Sequence, residues 1–171
     1  ERLNESVRKI LAWKFELGLF KNKITNIDLI DTSVSGKDAT ALTNEIAEKA
    51  ITLVRNDGDA LPLDRTKKIA VLGISNGFDG PSTMGSFAGA LRSNGVRFMP
   101  SYLQENSGAE QVAAARQAVN AADIVIVGLY GRVRSGAKNS VGIPENGAAI
   151  LREAIAAGQT VIGISFGNPY I

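Results

Sequence analysis

Two strings in this 171-residue sequence carry serine at the spacing of a nucleophile elbow, G-x-S-x-G: Gly73-Ile74-Ser75-Asn76-Gly77 and Gly163-Ile164-Ser165-Phe166-Gly167. Each follows an apolar run that reads as a buried strand, where a sharp strand-to-helix turn can expose a serine hydroxyl for attack. That chemistry needs a base to take the hydroxyl proton, and the chain contains no histidine. A Ser-His-Asp triad is therefore excluded, along with an imidazole base and His-ligated metals. With no cysteine either, disulfides and thiolate metal sites are excluded, although the compartment stays open. As structure, small residues at the carboxyl end of a strand permit close packing and turning.

Gly73, Gly77 and Gly80 also cluster as a phosphate-binding loop does. The spacing is not G-x-G-x-x-G, Pro81 follows at once, and no Lys-Ser/Thr pair completes a P-loop. The most suggestive polar set is Arg132, Arg134 and Lys138 with Ser135 and Asn139. These residues follow the third apolar run, and open α/β sheets bind ligands in the crevice at the carboxyl ends of their strands. Three cations with no intervening carboxylate can face an anionic or polar ligand or a partner domain. A solvated loop is the competing reading.

Positioning these groups requires a sheet. Residues 69–72 are apolar throughout, as expected of a strand buried on both faces, and 124–127 repeat the pattern. Residues 96–98 alternate and read as a short strand nearer an edge, and 160–164 read as the last strand. Helical spacing recurs between them. Met84, Phe87, Ala88 and Leu91 share a face in 82–94, Val112, Arg116 and Val119 in 109–122, and Ile150, Leu151 and Ile155 after Pro144. Gly95 and Gly158 stand where left-handed C-caps belong. Gly167-Asn168-Pro169 leads out of the last strand.

The sum is β-α-β-α-β-α-β. It predicts an α/β fold, a three-layer α/β/α sandwich around a mostly parallel, doubly wound sheet of order 2-1-3-4. Before the sheet, Ile46, Ala50, Leu53 and Val54 predict an amphipathic helix running into the turn Asn56-Asp57-Gly58-Asp59, with Pro62 preventing its resumption. A helix and a polar linker precede this unit: Leu3, Val7, Ile10, Leu11 and Phe15 form one stripe that Gly18 ends, and 21–40 has no clear period. The chain opens on Glu1 within a helical pattern and ends at its last strand, as a piece of something longer would. A formal net charge of +2 gives no general pull toward nucleic acid or anionic membranes. No segment approaches the roughly 20 apolar residues of a membrane span.

Several stretches, taken in order, resemble glycoside hydrolase family 3. Arg2-Leu3-Asn4-Glu5-Ser6-Val7-Arg8-Lys9-Ile10-Leu11 through Lys14-Phe15-Glu16-Leu17-Gly18-Leu19-Phe20 is similar to the last helix of that family's barrel domain. Ile46-Ala47 through Leu53-Val54-Arg55-Asn56-Asp57-Gly58, then Leu61-Pro62-Leu63 and Lys68-Ile69-Ala70-Val71-Leu72-Gly73, resemble the start of its second, α/β sandwich domain. Ser165-Phe166-Gly167-Asn168-Pro169-Tyr170 resembles a later strand in the branch that includes β-N-acetylglucosaminidases.

The resemblance implies a division into a barrel helix (1–20), a linker (21–40) and a sandwich domain (41–171). It also implies a barrel domain of the same parent chain as partner, a carbohydrate substrate in the parent, and no cofactor, metal, nucleic acid or membrane. In this family the catalytic Asp nucleophile lies on the barrel. The glucosidase branch takes its acid/base Glu from the second domain, in the loop corresponding to 132–139, yet no Asp or Glu occurs between Asp123 and Glu145. Glu145 itself suits a helix start, where it stabilises the N-terminal dipole. This departure favours the acetylglucosaminidase branch, whose proton donor is a His-Asp pair on a barrel loop. The implied role is a domain without a catalytic residue, packing on the barrel and lining the sugar site through Arg132, Arg134, Ser135, Lys138 and Asn139. A β-glucosidase-type domain and a Rossmann-like nucleotide-binding module are the alternatives. The severed helix is expected to dock on the sandwich, to pair with a second copy as a homodimer, or to fray. For the parent, a bacterial periplasm or secretion is the expectation, with the cytoplasm as alternative.

Overall fold

A computed structural model of the chain describes residues 1–21, 23–34, 36–136 and 140–167. The chain divides into two compact units, Glu1–Val54 and Arg55–Ile171. The first holds α1 (Arg2–Glu16), a 3₁₀ turn, α2 (Ile30–Ser33) and α3 (Lys37–Ala50). No residue of α1 or α3 is buried. The amphipathic helix expected to carry Leu53 and Val54 ends earlier, because Ile51 takes extended angles, φ −67° and ψ 117°. The β-branched residues Ile51, Thr52 and Val54 lose side-chain freedom in a helix, so the sequence turns extended where they concentrate. Helix α3 also begins within the stretch expected to be linker.

The second unit is the sandwich. Its strands are β1 (Ile69–Ser75), β2 (Met99–Leu103), β3 (Ile124–Tyr130) and β4 (Thr160–Ser165), all parallel in the order β2-β1-β3-β4. Every residue of β1 is buried, as its unbroken apolar run requires of a central parallel strand. The edge strand β2 lies further along than residues 96–98. Gly95, at φ 76°, ends α4 (Gly85–Ser93) in a Schellman turn, and Val96 N–H closes that turn on the Leu91 carbonyl at 3.0 Å. Val96 therefore serves the cap, and pairing begins at Met99 opposite Ala70. Pro100, which has no N–H to give the ladder, is tolerated because β2 is an edge.

Side chains alternate between two cores. On one face Leu72, Ile74, Leu103, Val125 and Val127 meet Ala115 and Val119 of α5 (Ala109–Asn120) and Ile150 and Ala154 of α6 (Glu145–Ala156). On the other, Ile69, Val71, Tyr102, Ile124 and Ile126 meet Met84, Ala88 and Val96. Arg116, at the spacing expected to cover the sheet, turns instead to Glu153 of α6 at 2.7 Å and ties the two helices together. Gly158, at φ 73°, ends α6 as expected. Asn168 and Pro169, expected to lead out of the last strand, lie outside the described residues. No described helix is long and apolar enough to cross a membrane.

Candidate functional site

Parallel strands deliver all their carboxyl ends to one side, so the segments after β1, β2 and β3 meet there. The last backbone pair between β1 and β3 joins Ser75 to Tyr130. Beyond it, the fully buried Asn76 carries the pairing on with its side chain: Nδ2 donates to the Arg132 carbonyl at 2.9 Å, and Oδ1 accepts from Arg132 N–H at 2.9 Å. A primary carboxamide sets an N–H donor and its carbonyl acceptor side by side in one plane, so it can meet both the C=O and the N–H of one residue in an extended segment.

The same two segments exchange charge. Arg132 Nη1 donates to Asp79 Oδ1 at 3.3 Å. Arg134 Nη1 donates to the backbone carbonyl of Asn76, and its guanidinium lies 4.9 Å from the centre of the Phe78 ring. Arg134 N–H also donates to the Ser140 carbonyl at 3.1 Å, which closes the loop across its base. Ser135 is exposed in the turn that follows. Lys138 and Asn139 lie outside the described residues. The structure thus brings Arg132 and Arg134 together, and it supplies from β1's loop the carboxylate that their own loop lacks.

Gln104, just past β2, joins the cluster by accepting from Gly80 N–H at 3.2 Å through Oε1, while its carbonyl accepts from Asn146 Nδ2 at 3.1 Å. Beyond β4, Phe166 N–H donates to the Leu129 carbonyl at 2.9 Å, and its ring stacks on Tyr130 with centroids 4.9 Å apart. Burial pushes the Tyr130 phenol above its ordinary range, helped by the neighbouring Tyr102. Asn76, Phe78, Asp79 and Gln104 were not singled out from sequence. A polar residue just past a buried strand is the one signal for Asn76, while the others are joined to the loop by folding alone.

The first serine string resolves into packing, while Ser165 of the second is exposed at the end of the edge strand β4. Ser75 is fully buried, donates from Oγ to the Tyr130 carbonyl at 3.2 Å and accepts from Gly77 N–H at 3.0 Å. Its hydroxyl is a splice between β1 and β3, not an exposed nucleophile. In the second string, a β-carbon at 167 would stand 2.3 Å from the Gly131 carbonyl oxygen, so glycine there permits backbone to touch backbone. The glycine cluster after β1 does not present its amides to a phosphate either. Gly77 and Gly80 N–H are spent on Ser75 and Gln104, and Pro81, which opens the next turn, has no N–H.

The family model for the glycosyl hydrolase family 3 C-terminal domain matches residues 51–171. The chain belongs to that family. Among curated relatives, a putative β-xylosidase of Formosa agariphila is 37% identical over 73 residues, 42% of this chain and 10% of that protein. A β-N-acetylglucosaminidase/β-glucosidase of Cellulomonas fimi is 35% identical over 95 residues, covering 53% and 16%. A lysosomal β-glucosidase of Dictyostelium discoideum is 43% identical over 67 residues, covering 37% and 8%. The similarity thus spans 8% to 16% of the length of these larger glycosidases, and their names do not single out one sugar. The expected acetylglucosaminidase branch is accordingly not distinguished from its neighbours. Among solved structures, a chain named β-glucoside phosphorylase BglX superposes with a TM-score of 0.59 at 23% identity, over 99% of this chain and 31% of that one, a likeness of fold.

Proposed function

We propose that this family 3 C-terminal domain belongs to a larger, retaining, exo-acting β-glycosidase of the β-N-acetylglucosaminidase-like type. It carries no catalytic residue of its own. In this reading residues 1–20 are the last helix of the parent's barrel, 21–40 link it onward, and 41–171 form the sandwich that supports the barrel. The loop bearing Arg132, Arg134 and Ser135, with Lys138 and Asn139 in the same stretch, lines one wall of the sugar site.

One observation carries the reading. Retaining hydrolysis uses two carboxyl groups about 5–5.5 Å apart, and the loop facing the site brings none. The carboxylate that the fold sets against it, Asp79, is paired with Arg132, and Glu145 is paired with Arg152 along its own helix. What remains is an edge of hydrogen-bond donors, which suits sugar hydroxyls and N-acetyl groups. The names of the relatives favour a second reading, a β-xylosidase or β-glucosidase parent with the same supporting domain.

Hydrolysis of chromogenic β-xyloside, β-glucoside and β-N-acetylglucosaminide by the parent and by this chain, side by side, separates these readings. Turnover of the acetylglucosaminide by the parent and none by this chain is the expected result, and preference for another sugar selects the second reading. Activity in the isolated chain refutes both. Arg134→Ala in the parent should raise KM; a lowered Tm with an unchanged KM would instead make Arg134 a structural contact of the loop, through Asn76 and Phe78.

A further inference from the structure

We propose that Asn76 is the positioning residue of the sugar-site loop, an inference that rests on the function proposed above. The backbone ladder between β1 and β3 ends at Ser75 and Tyr130. Past that point the ladder no longer fixes Arg132 and Arg134, yet they must keep one arrangement to recognise a rigid ligand. Asn76 supplies a partner. Its carboxamide takes both backbone groups of Arg132 at 2.9 Å each, so the segment after β3 is held as though the strand continued.

The hold extends outward from that pair. The Asn76 backbone carbonyl accepts from the Arg134 guanidinium, which also rests on Phe78, and Arg132 reaches Asp79. Both arginine side chains are thereby tied to the segment that Asn76 begins. The buried position makes the choice of side chain specific, because water cannot replace a missing partner there. Aspartate keeps the acceptor for Arg132 N–H and loses the donor for its carbonyl. Alanine loses both, and glutamine sets the amide one methylene further out, where the same two bonds require the Arg132 segment to shift. Asn76 is itself out of reach of a sugar, so its influence passes through Arg132 and Arg134.

The test uses the intact parent glycosidase with Asn76→Ala and Asn76→Asp. KM and kcat are read on the aryl glycoside that the wild type hydrolyses, and hydrogen exchange is read by mass spectrometry on a peptide covering 131–136. Loss of both hydrogen bonds should raise KM roughly tenfold or more, each net hydrogen bond being worth about two- to tenfold. The change in kcat should stay below about threefold, since the catalytic groups belong to the barrel. Asn76→Asp, which sets a carboxylate oxygen against the Arg132 carbonyl, should be impaired at least as much as Asn76→Ala, and exchange across 131–136 should quicken in both. Should neither variant fold, Asn76→Gln against wild type carries the same comparison. Unchanged exchange in both variants overturns the proposal, as does faster exchange with unchanged KM, which would leave Asn76 a structural residue only. A parent silent on every β-glycoside sinks the functional reading, and the kinetic role of Asn76 with it. Exchange would then still report whether Asn76 orders the loop.

Discussion

Gly167→Ala puts the close approach of the β3 and β4 ends to a quantitative test. A β-carbon at 167 would lie 2.3 Å from the Gly131 carbonyl oxygen and 3.3 Å from its carbon. Carbon–oxygen contacts settle at about 3.3 Å or more, so roughly 1 Å of separation must be found. Both partners are main chain, and neither can swing aside as the end of a long side chain would. Overpacking of this kind costs about 1–3 kcal/mol. The sandwich unit Arg55–Ile171, roughly 120 residues, unfolds with an entropy near 0.25 kcal/mol/K, so each kcal/mol lowers Tm by about 4 °C. Gly167→Ala should therefore lower the Tm of this unit by roughly 4–12 °C. Gly163, the first glycine of the same string, provides the control. A β-carbon there meets nothing within 4 Å, and Gly163→Ala should stay within about 0.5 kcal/mol, or about 2 °C. Thermal melts of the two variants by circular dichroism or calorimetry decide the matter. Equal shifts for both, or an unchanged Gly167→Ala, would refute the argument that backbone contact dictates glycine at 167. Because Gly131 precedes Arg132, the same substitution in the parent should also disturb the loop that Asn76 holds.

Further outcomes follow from the packing and the charges. Ile150, 1% exposed beneath the sheet, should cost about 2–5 kcal/mol when replaced by Ala, measured by urea unfolding with an unchanged m-value. The Arg116 guanidinium holds the Glu153 carboxyl below its ordinary range. A carboxyl with a depressed folded pKa stabilises the protein above its unfolded pKa, and that contribution is lost as pH falls through the folded value. The Tm difference between wild type and Glu153→Gln should therefore shrink from about pH 6 to about pH 3. It should shrink with added salt as well, because the pair is partly exposed. A pH-independent difference would mean that the α5–α6 tie does not depend on charge.

The periodic parts of the chain were legible from the start. Unbroken apolar runs marked β1 and β3 as central strands, and stripes at helical spacing marked α4, α5 and α6, with Gly95 and Gly158 ending two of them. These signals are local: a strand buried on both faces carries few polar residues, and a helix must turn one apolar stripe inward. Boundaries were less legible where two local demands compete. Val96 was claimed by the cap of α4 rather than by β2, and Ile51 left the helix that Leu53 and Val54 suggested.

The loop after β3 shows the same division at the level of the site. Its cations, its lack of a carboxylate and the absence of histidine from the chain are properties of composition and order, and they alone excluded triad chemistry. That Arg132 meets Asp79, that Arg134 rests on Phe78, and that Asn76 holds the backbone of Arg132 depend on β1 and β3 lying side by side. Those partners stand more than fifty residues apart in the chain. No spacing rule connects them, because their proximity is made by the sheet, whose pairing is driven by the burial of β1 and β3 and not by the polar residues beyond their ends.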